Sequence, residues 1–182
     1  MNVSASEIIA FWFSPRVAGH WFASTPELDA EICARFERTW EQATGGEKDH
    51  WQDNPDGCLA LAIVLDQFPL NMFRGQAISF STEARAIEVA RHAVNAGFDK
   101  RIATDKLTFL YMPLMHSESL KDQDLSVRLF TAAELGENAR FAQHHKEIVE
   151  RFGRFPHRNV ILGRESTDAE IAWLASDAAF RG

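Results

Sequence analysis

Residues 58–75 read CLALAIVLDQFPLNMFRG, and the run from Leu59 to Leu65 decides the fold. Every residue in it is apolar, and Phe68 extends the run past Asp66 and Gln67. A helix that is apolar all round has no face to give to water, so it belongs at the centre of a helical protein. Asn54-Pro55-Asp56-Gly57 is a turn leading into this helix, and Pro69 is expected to stop it, because the residue before proline is pushed out of helical geometry. The apolar run is seven residues long, far short of the ~20 needed to cross a bilayer.

On either side of this segment the spacing is helical and nowhere strand-like. Ser4-Ala5-Ser6-Glu7 forms a capping box that opens a first helix running to Phe13, where Ser14-Pro15 ends it. Pro26 starts a second helix, with Leu28, Ile32, Phe36, Trp40 and Ala43 on one face and Gly45-Gly46 at its end. Downstream, Ser81-Thr82-Glu83 starts a helix that carries Ile87, Ala90 and Val94 and closes at Gly97. Thr104-Asp105 starts another, which Pro113 is expected to interrupt. Leu125 and Leu129 mark a helix expected to end at Gly136, and Phe141, His145, Ile148 and Phe152 line the next, up to Gly153. A second capping box, Thr167-Asp168-Ala169-Glu170, opens a last helix with Ile171 and Leu174 inward. The expectation is an all-α fold, with residues 1–182 as one helical domain and no linker or low-complexity tract.

Composition narrows the function classes. The 182 residues are 46% hydrophobic and 25% charged, which is ordinary globular usage. Fourteen Phe and five Trp stand against one Tyr, and most of those rings fall on periodic helix faces, so they are assigned to the core. A net charge of −7 argues against nucleic acid, where Lys and Arg on phosphates supply most of the affinity. Met1 to Glu7 lack the basic start and apolar run of a signal peptide. A cytoplasmic protein is expected, with Cys33 and Cys58 as free, helix-borne thiols.

Three segments break the helical pattern with polar residues. In the first, Asp66 and Gln67 end an otherwise apolar helix, and Arg74 is the nearest candidate partner for a buried carboxylate. In the second, 111–123, His116 and Glu118 fall at a helix junction, with Asp122 and Gln123 just beyond. A His–carboxylate pair there suits proton transfer near neutral pH. The third, 151–164, holds four arginines and a histidine without one acid: Arg151, Arg154, His157, Arg158 and Arg164, with Asn159 among them. Guanidinium forks bind carboxylates and phosphates in bidentate fashion. These arginines either neutralise the chain's own acids, Asp66, Glu118 or Asp122, or leave a positive concavity for a small anion.

No glycine-rich phosphate loop, dinucleotide fingerprint, His-Glu-x-x-His or Gly-x-Ser-x-Gly is present. Neither a cofactor nor a metal is expected, and a metal held by His116, Glu118 and His157 is the weaker alternative.

The same segments carry a resemblance. FWFSP near the start, LDQFPLNMFRG, YMPLMHSESLKDQ and HHKEIVERFGRFPHRNVILGRESTDAE, in that order from Phe11 to Glu170, resemble the bacterial family DUF924. The resemblance implies a tetratricopeptide-like stack of about seven to nine antiparallel helices. It brings no substrate, cofactor or catalytic residue. The family more often has Arg where this chain has Leu70, so no ligand role carries over to that position.

Two functions follow. In one, the segments meet in a cleft that binds a small, anionic ligand through Asp66, Gln67, Arg74, Asp122, Gln123, Arg154, His157, Arg158, Asn159 and Arg164, while His116 and Glu118 move a proton. In the other, the helices offer a groove to a peptide, a protein partner or a second copy of the chain, and the polar cluster is structural.

Overall fold

The computed structural model describes residues 3–176 and 179. Among the described residues there is no strand, and ten α-helices follow one another through short turns. They are α1 (Ala5–Trp12), α2 (Pro15–Ala18), α3 (Pro26–Thr44), α4 (Pro55–Ala62), α5 (Phe68–Met72), α6 (Glu83–Asn95), α7 (Thr104–His116), α8 (Leu120–Ala132), α9 (Gly136–Phe152) and α10 (Asp168–Leu174). The fold is all-α. Both capping boxes form as the sequence demands: Ser4 with Glu7 at α1, and Thr167 with Glu170 at α10.

The apolar run lies at the centre. Cys58 through Phe68 are all buried, and α4 packs against α1, α6 and α7. The α3 face of Leu28, Ile32, Phe36, Trp40 and Ala43 is buried as its spacing requires. Phe11, Phe36 and Phe68 meet there with centroids 4.8 and 5.0 Å apart. Helices α6, α7, α8 and α9 each pack on the next, an arrangement common to stacked helical pairs and to bundles.

Pro69 does not stop the central helix. Residues Ile63–Gln67 form a π-helical turn between α4 and α5, and Phe68, just before the proline, keeps helical angles (φ −60°, ψ −45°). A proline inside a helix clashes with the carbonyl four residues back and gives it no donor. Here that carbonyl belongs to Leu65, and the Thr82 hydroxyl donates to it at 2.6 Å while accepting from Trp40 Nε1 at 3.1 Å. The wider π turn gives the ring room, and a distant side chain supplies the missing bond.

Four further expectations are corrected. Pro113 lies inside α7 and does not interrupt it. Gly136 begins α9, whereas α8 ends at Ala132; the reversal between them is made by Glu134, which takes a positive φ of 56°. Ile171 and Phe141 point to solvent, and Trp173 is the buried apolar residue of α10, beside the buried Glu170. Cys33 and Cys58 are both free. No described helix is long and apolar enough to cross a membrane.

A candidate acid–base cleft

A small cleft forms where four elements meet. Asp66 comes from the π turn, Glu83 is the first residue of α6, His116 is the last of α7, and Arg158 lies in a 3-10 turn, Pro156–Arg158, after α9. Leu65, Leu70, Ser79 and Phe80 complete its wall, so Leu70 lines the cleft as an apolar residue. The cavity measures about 10 Å3, room for one water.

Asp66 is buried, and its two oxygens are occupied on the protein side. Oδ1 lies 2.8 Å from His116 Nδ1, and Oδ2 accepts from Gln67 Nε2 at 2.6 Å. A carboxylate only accepts, so Nδ1 donates to Asp66, and in the neutral form of the ring Nε2 is then the acceptor. His116 Nε2 makes no hydrogen bond among the described residues, and the side chain keeps 17% of its surface exposed.

Arg158 closes the other side. Its Nη1 donates to Glu83 Oε2 at 2.7 Å, and its Nη2 to the His116 carbonyl at 2.9 Å. The guanidinium is also stacked between Phe80 and Phe155, 4.7 and 4.6 Å from their centroids. Burial raises the Glu83 carboxyl above its ordinary value; Arg158 and His116 pull it down, and the neighbouring Asp66 pushes it up again.

The remaining candidates fall into a clamp, a helix-end cap and an outlier. Burial alone would raise Glu118, but Arg164 grips both its oxygens at 2.7 and 2.9 Å and the Phe155 amide donates at 2.8 Å, so its pKa is lowered. Glu118 therefore anchors the 151–164 segment beside the cleft, with both oxygens held by Arg164. In the same clamp, Arg154 binds Glu170 through two bonds of 2.7 and 2.8 Å, holding that carboxyl at about 2. Asn159 is buried between Ser166, Glu170 and Arg164. His157 packs on the Phe155 ring, and burial, reinforced by Arg158, lowers its pKa to about 4. Asp122 takes the Ser117 hydroxyl at 2.7 Å and pairs with Arg91, while Gln123 donates to the Met115 and Ser117 carbonyls that α7 leaves open. Arg74 is the outlier. It is not the partner of Asp66, and its fork reaches Asp29 at 3.0 and 3.1 Å on the surface.

Asp66, His116 and Arg158 thus come together from the three polar segments, and Glu83 joins them from outside. Sequence reasoning missed Glu83 because an acid in a first helical turn already has an explanation in the helix dipole. Among the described residues no three His, Cys, Asp or Glu side chains converge as a metal-ion cage. A wider groove of about 570 Å3, lined by Lys121, Asp124, Val127, Arg128 and Lys146, has a more ordinary chemistry, with Lys146 tied to Asp124 at 2.8 Å.

A family model described as a bacterial protein of unknown function, DUF924, matches residues 8–178. None of the functionally curated proteins matches the chain. A solved structure of a protein of unknown function from Agrobacterium tumefaciens is similar over 94% of this chain and 96% of that one, with 37% identity and a TM-score of 0.87. The match over most of the length, in sequence and in three dimensions, means that the chain belongs to DUF924, a family of bacterial proteins of unknown function.

Proposed function

We propose that the chain binds a small polar molecule at the cleft of Asp66, Glu83, His116 and Arg158 and exchanges a proton with it through His116. One observation carries the reading: a buried carboxylate fixes His116 by Nδ1, and His116 lines a cavity while its Nε2 makes no hydrogen bond among the described residues. A carboxylate behind an imidazole sets the tautomer and stabilises the imidazolium formed when Nε2 takes a proton. The cavity is water-sized, so only one polar group of the ligand enters it, and the rest lies outside, where Leu70 and Phe80 are half-buried.

The charge of that ligand follows from the pairing. An anion would need a guanidinium with no acid of its own, but Arg154, Arg158 and Arg164 each hold a glutamate. The reading therefore keeps the small ligand and drops its negative charge. A peptide-docking role has in its favour the exposed side chains of Phe22, Ile78, Leu120, Phe141, Val160 and Ile171, which are spread along the chain over separate helices and turns.

The test is a thermal-shift screen of neutral, cationic and anionic metabolites on wild type, His116→Gln and Asp66→Asn. A ligand at 100 times its dissociation constant adds about 2.7 kcal/mol to wild-type stability. That gain is expected to vanish in both folded variants. A ligand that stabilises all three proteins equally refutes the cleft.

A further inference from the structure

We infer that Glu83 is a second proton-carrying group of the cleft, facing the same cavity as His116, and that the two together select an uncharged group able to donate and accept hydrogen bonds, such as a hydroxyl or a primary amide. The inference deepens the proton-transfer reading and rests on it.

The argument is geometric first. Glu83, Asp66, His116 and Arg158 all border one water-sized cavity. Glu83 uses Oε2 for Arg158, and Oε1 makes no hydrogen bond among the described residues. His116 likewise uses only Nδ1. Each of the two groups thus keeps one unengaged atom beside a space that admits one polar group.

Charge then sets the class of that group. Asp66 and Glu83 bring two carboxyls, and Arg158 and His116 bring one fixed and one titratable positive charge. The sum is negative with a neutral imidazole and at most zero with a protonated one while both acids are ionised. The Arg158 charge is already engaged by Glu83, the His116 carbonyl and two phenylalanine rings. An entering anion would face the Asp66 carboxylate, and above the Glu83 midpoint a second one, while the Arg158 guanidinium is already hydrogen-bonded and stacked. An uncharged group fits better: it donates to His116 Nε2 and accepts from the protonated Glu83 carboxyl. Burial, which raises Glu83, favours that protonated form, and Asp66 acts in the same sense against Arg158 and His116. His145 and His157 also lie within electrostatic reach of His116, so the measurement is read at Glu83 itself.

The experiment uses carbon- and nitrogen-labelled protein, with acetamide as the uncharged probe and acetate as the charged one of the same shape. The Glu83 carboxyl, His116 ring and Arg158 side-chain signals are followed by NMR across pH. Acetamide is expected to move the cleft signals and acetate to leave them unmoved. Acetamide binding weakens roughly tenfold as pH rises through the Glu83 midpoint, the loss of one buried donor–acceptor match. In Glu83→Gln, which keeps a neutral donor and an acceptor for Arg158, the fall in acetamide binding at the wild-type Glu83 midpoint disappears. The Glu83 midpoint itself falls in Asp66→Asn, because the change removes a repelling charge.

Stronger binding of acetate than acetamide, or acetamide binding that ignores the Glu83 midpoint in wild type, overturns the role of Glu83 and leaves the His116 cleft standing. Silence of the cleft signals toward both probes overturns the cleft and this inference together. The wild-type pH comparison decides the matter alone should Glu83→Gln fail to fold.

Discussion

Replacing Arg158 by methionine separates a structural guanidinium from a ligand-binding one. Its side chain is 7% exposed, and its acid partner Glu83 is 21% exposed. Removing one partner of a buried ion pair costs about 3–5 kcal/mol, most of it the penalty for the charge left behind. Glu83 keeps some contact with water, which places the pair near the low end of that range. The bond to the His116 carbonyl adds about 1 kcal/mol. Methionine fills the slot between Phe80 and Phe155, which offsets part of the lost packing. The expected loss is about 3 kcal/mol, a large share of the ~5–15 kcal/mol that holds a domain together. The pH dependence has a definite sign. Burial raises the folded-state Glu83 carboxyl above its unfolded value, and loss of Arg158 raises it further. The folded variant then binds a proton that the unfolded chain does not, so its stability rises as the pH falls. Urea unfolding of wild type and variant should show the largest deficit at pH 8 and a smaller one at pH 5.5. Adding Glu83→Gln to Arg158→Met should restore part of the loss, since the orphaned charge is gone. A deficit below about 1 kcal/mol, or one equal at both pH values, would refute the assignment of Arg158 to Glu83.

Acid titration of Glu170→Gln against wild type reads the clamp. Arg154 holds the folded Glu170 carboxyl at about 2 against an ordinary 4.5, so its stabilisation is present above 4.5 and lost as pH falls toward 2, where the two proteins should become equally stable in urea. Gly57→Ala should be the costliest alanine substitution among the described glycines: a Cβ there lies 1.9 Å from the Trp51 carbonyl oxygen, and about 3 kcal/mol of destabilisation by thermal or urea unfolding is expected because backbone, not a flexible side chain, must move.

The helical faces were legible because burial follows a local period. Leu28 to Ala43 on α3 needed only that period, and the capping boxes needed only four residues each. The prolines were misread because the rule for a helix breaker is local and its exception is not. Pro69 is tolerated by a threonine seventeen residues from the carbonyl it serves. Gly136 was misread for the converse reason: the chain reverses at Glu134, a residue with no turn signature. Ile171 and Phe141 obey a helical period on helices whose outer surfaces face water, so period alone overstated their burial. In the cleft, Asp66, His116 and Arg158 announced themselves by interrupting apolar or acid-rich surroundings. Glu83 did not, because its position suits a helix N-terminus whether or not it faces a cavity.

The net charge of −7 and the acid-free arginine run are reconciled by distance along the chain. Arg154 meets Glu170 16 residues away, Arg164 meets Glu118 at 46, and Arg158 meets Glu83 at 75. Arg151 lies over the Phe152 ring and so needs no acid. A run that looks positive in one dimension is close to neutral in three, and charge counted over a window predicts a field only when the partners lie in that window. The pairing also has a positional consequence. Arg154 and Arg164 anchor the segment on both sides of Arg158, on α10 and on the α7–α8 junction, and the Phe155 amide adds a third anchor at Glu118. With its flanks fixed, Arg158 needs little further ordering to reach the cleft, and its two hydrogen bonds then set the spacing between Glu83 and the end of α7. The arginines of this segment therefore shape the cleft by holding protein to protein, and the polar atoms they leave unengaged beside it are Glu83 Oε1 and His116 Nε2.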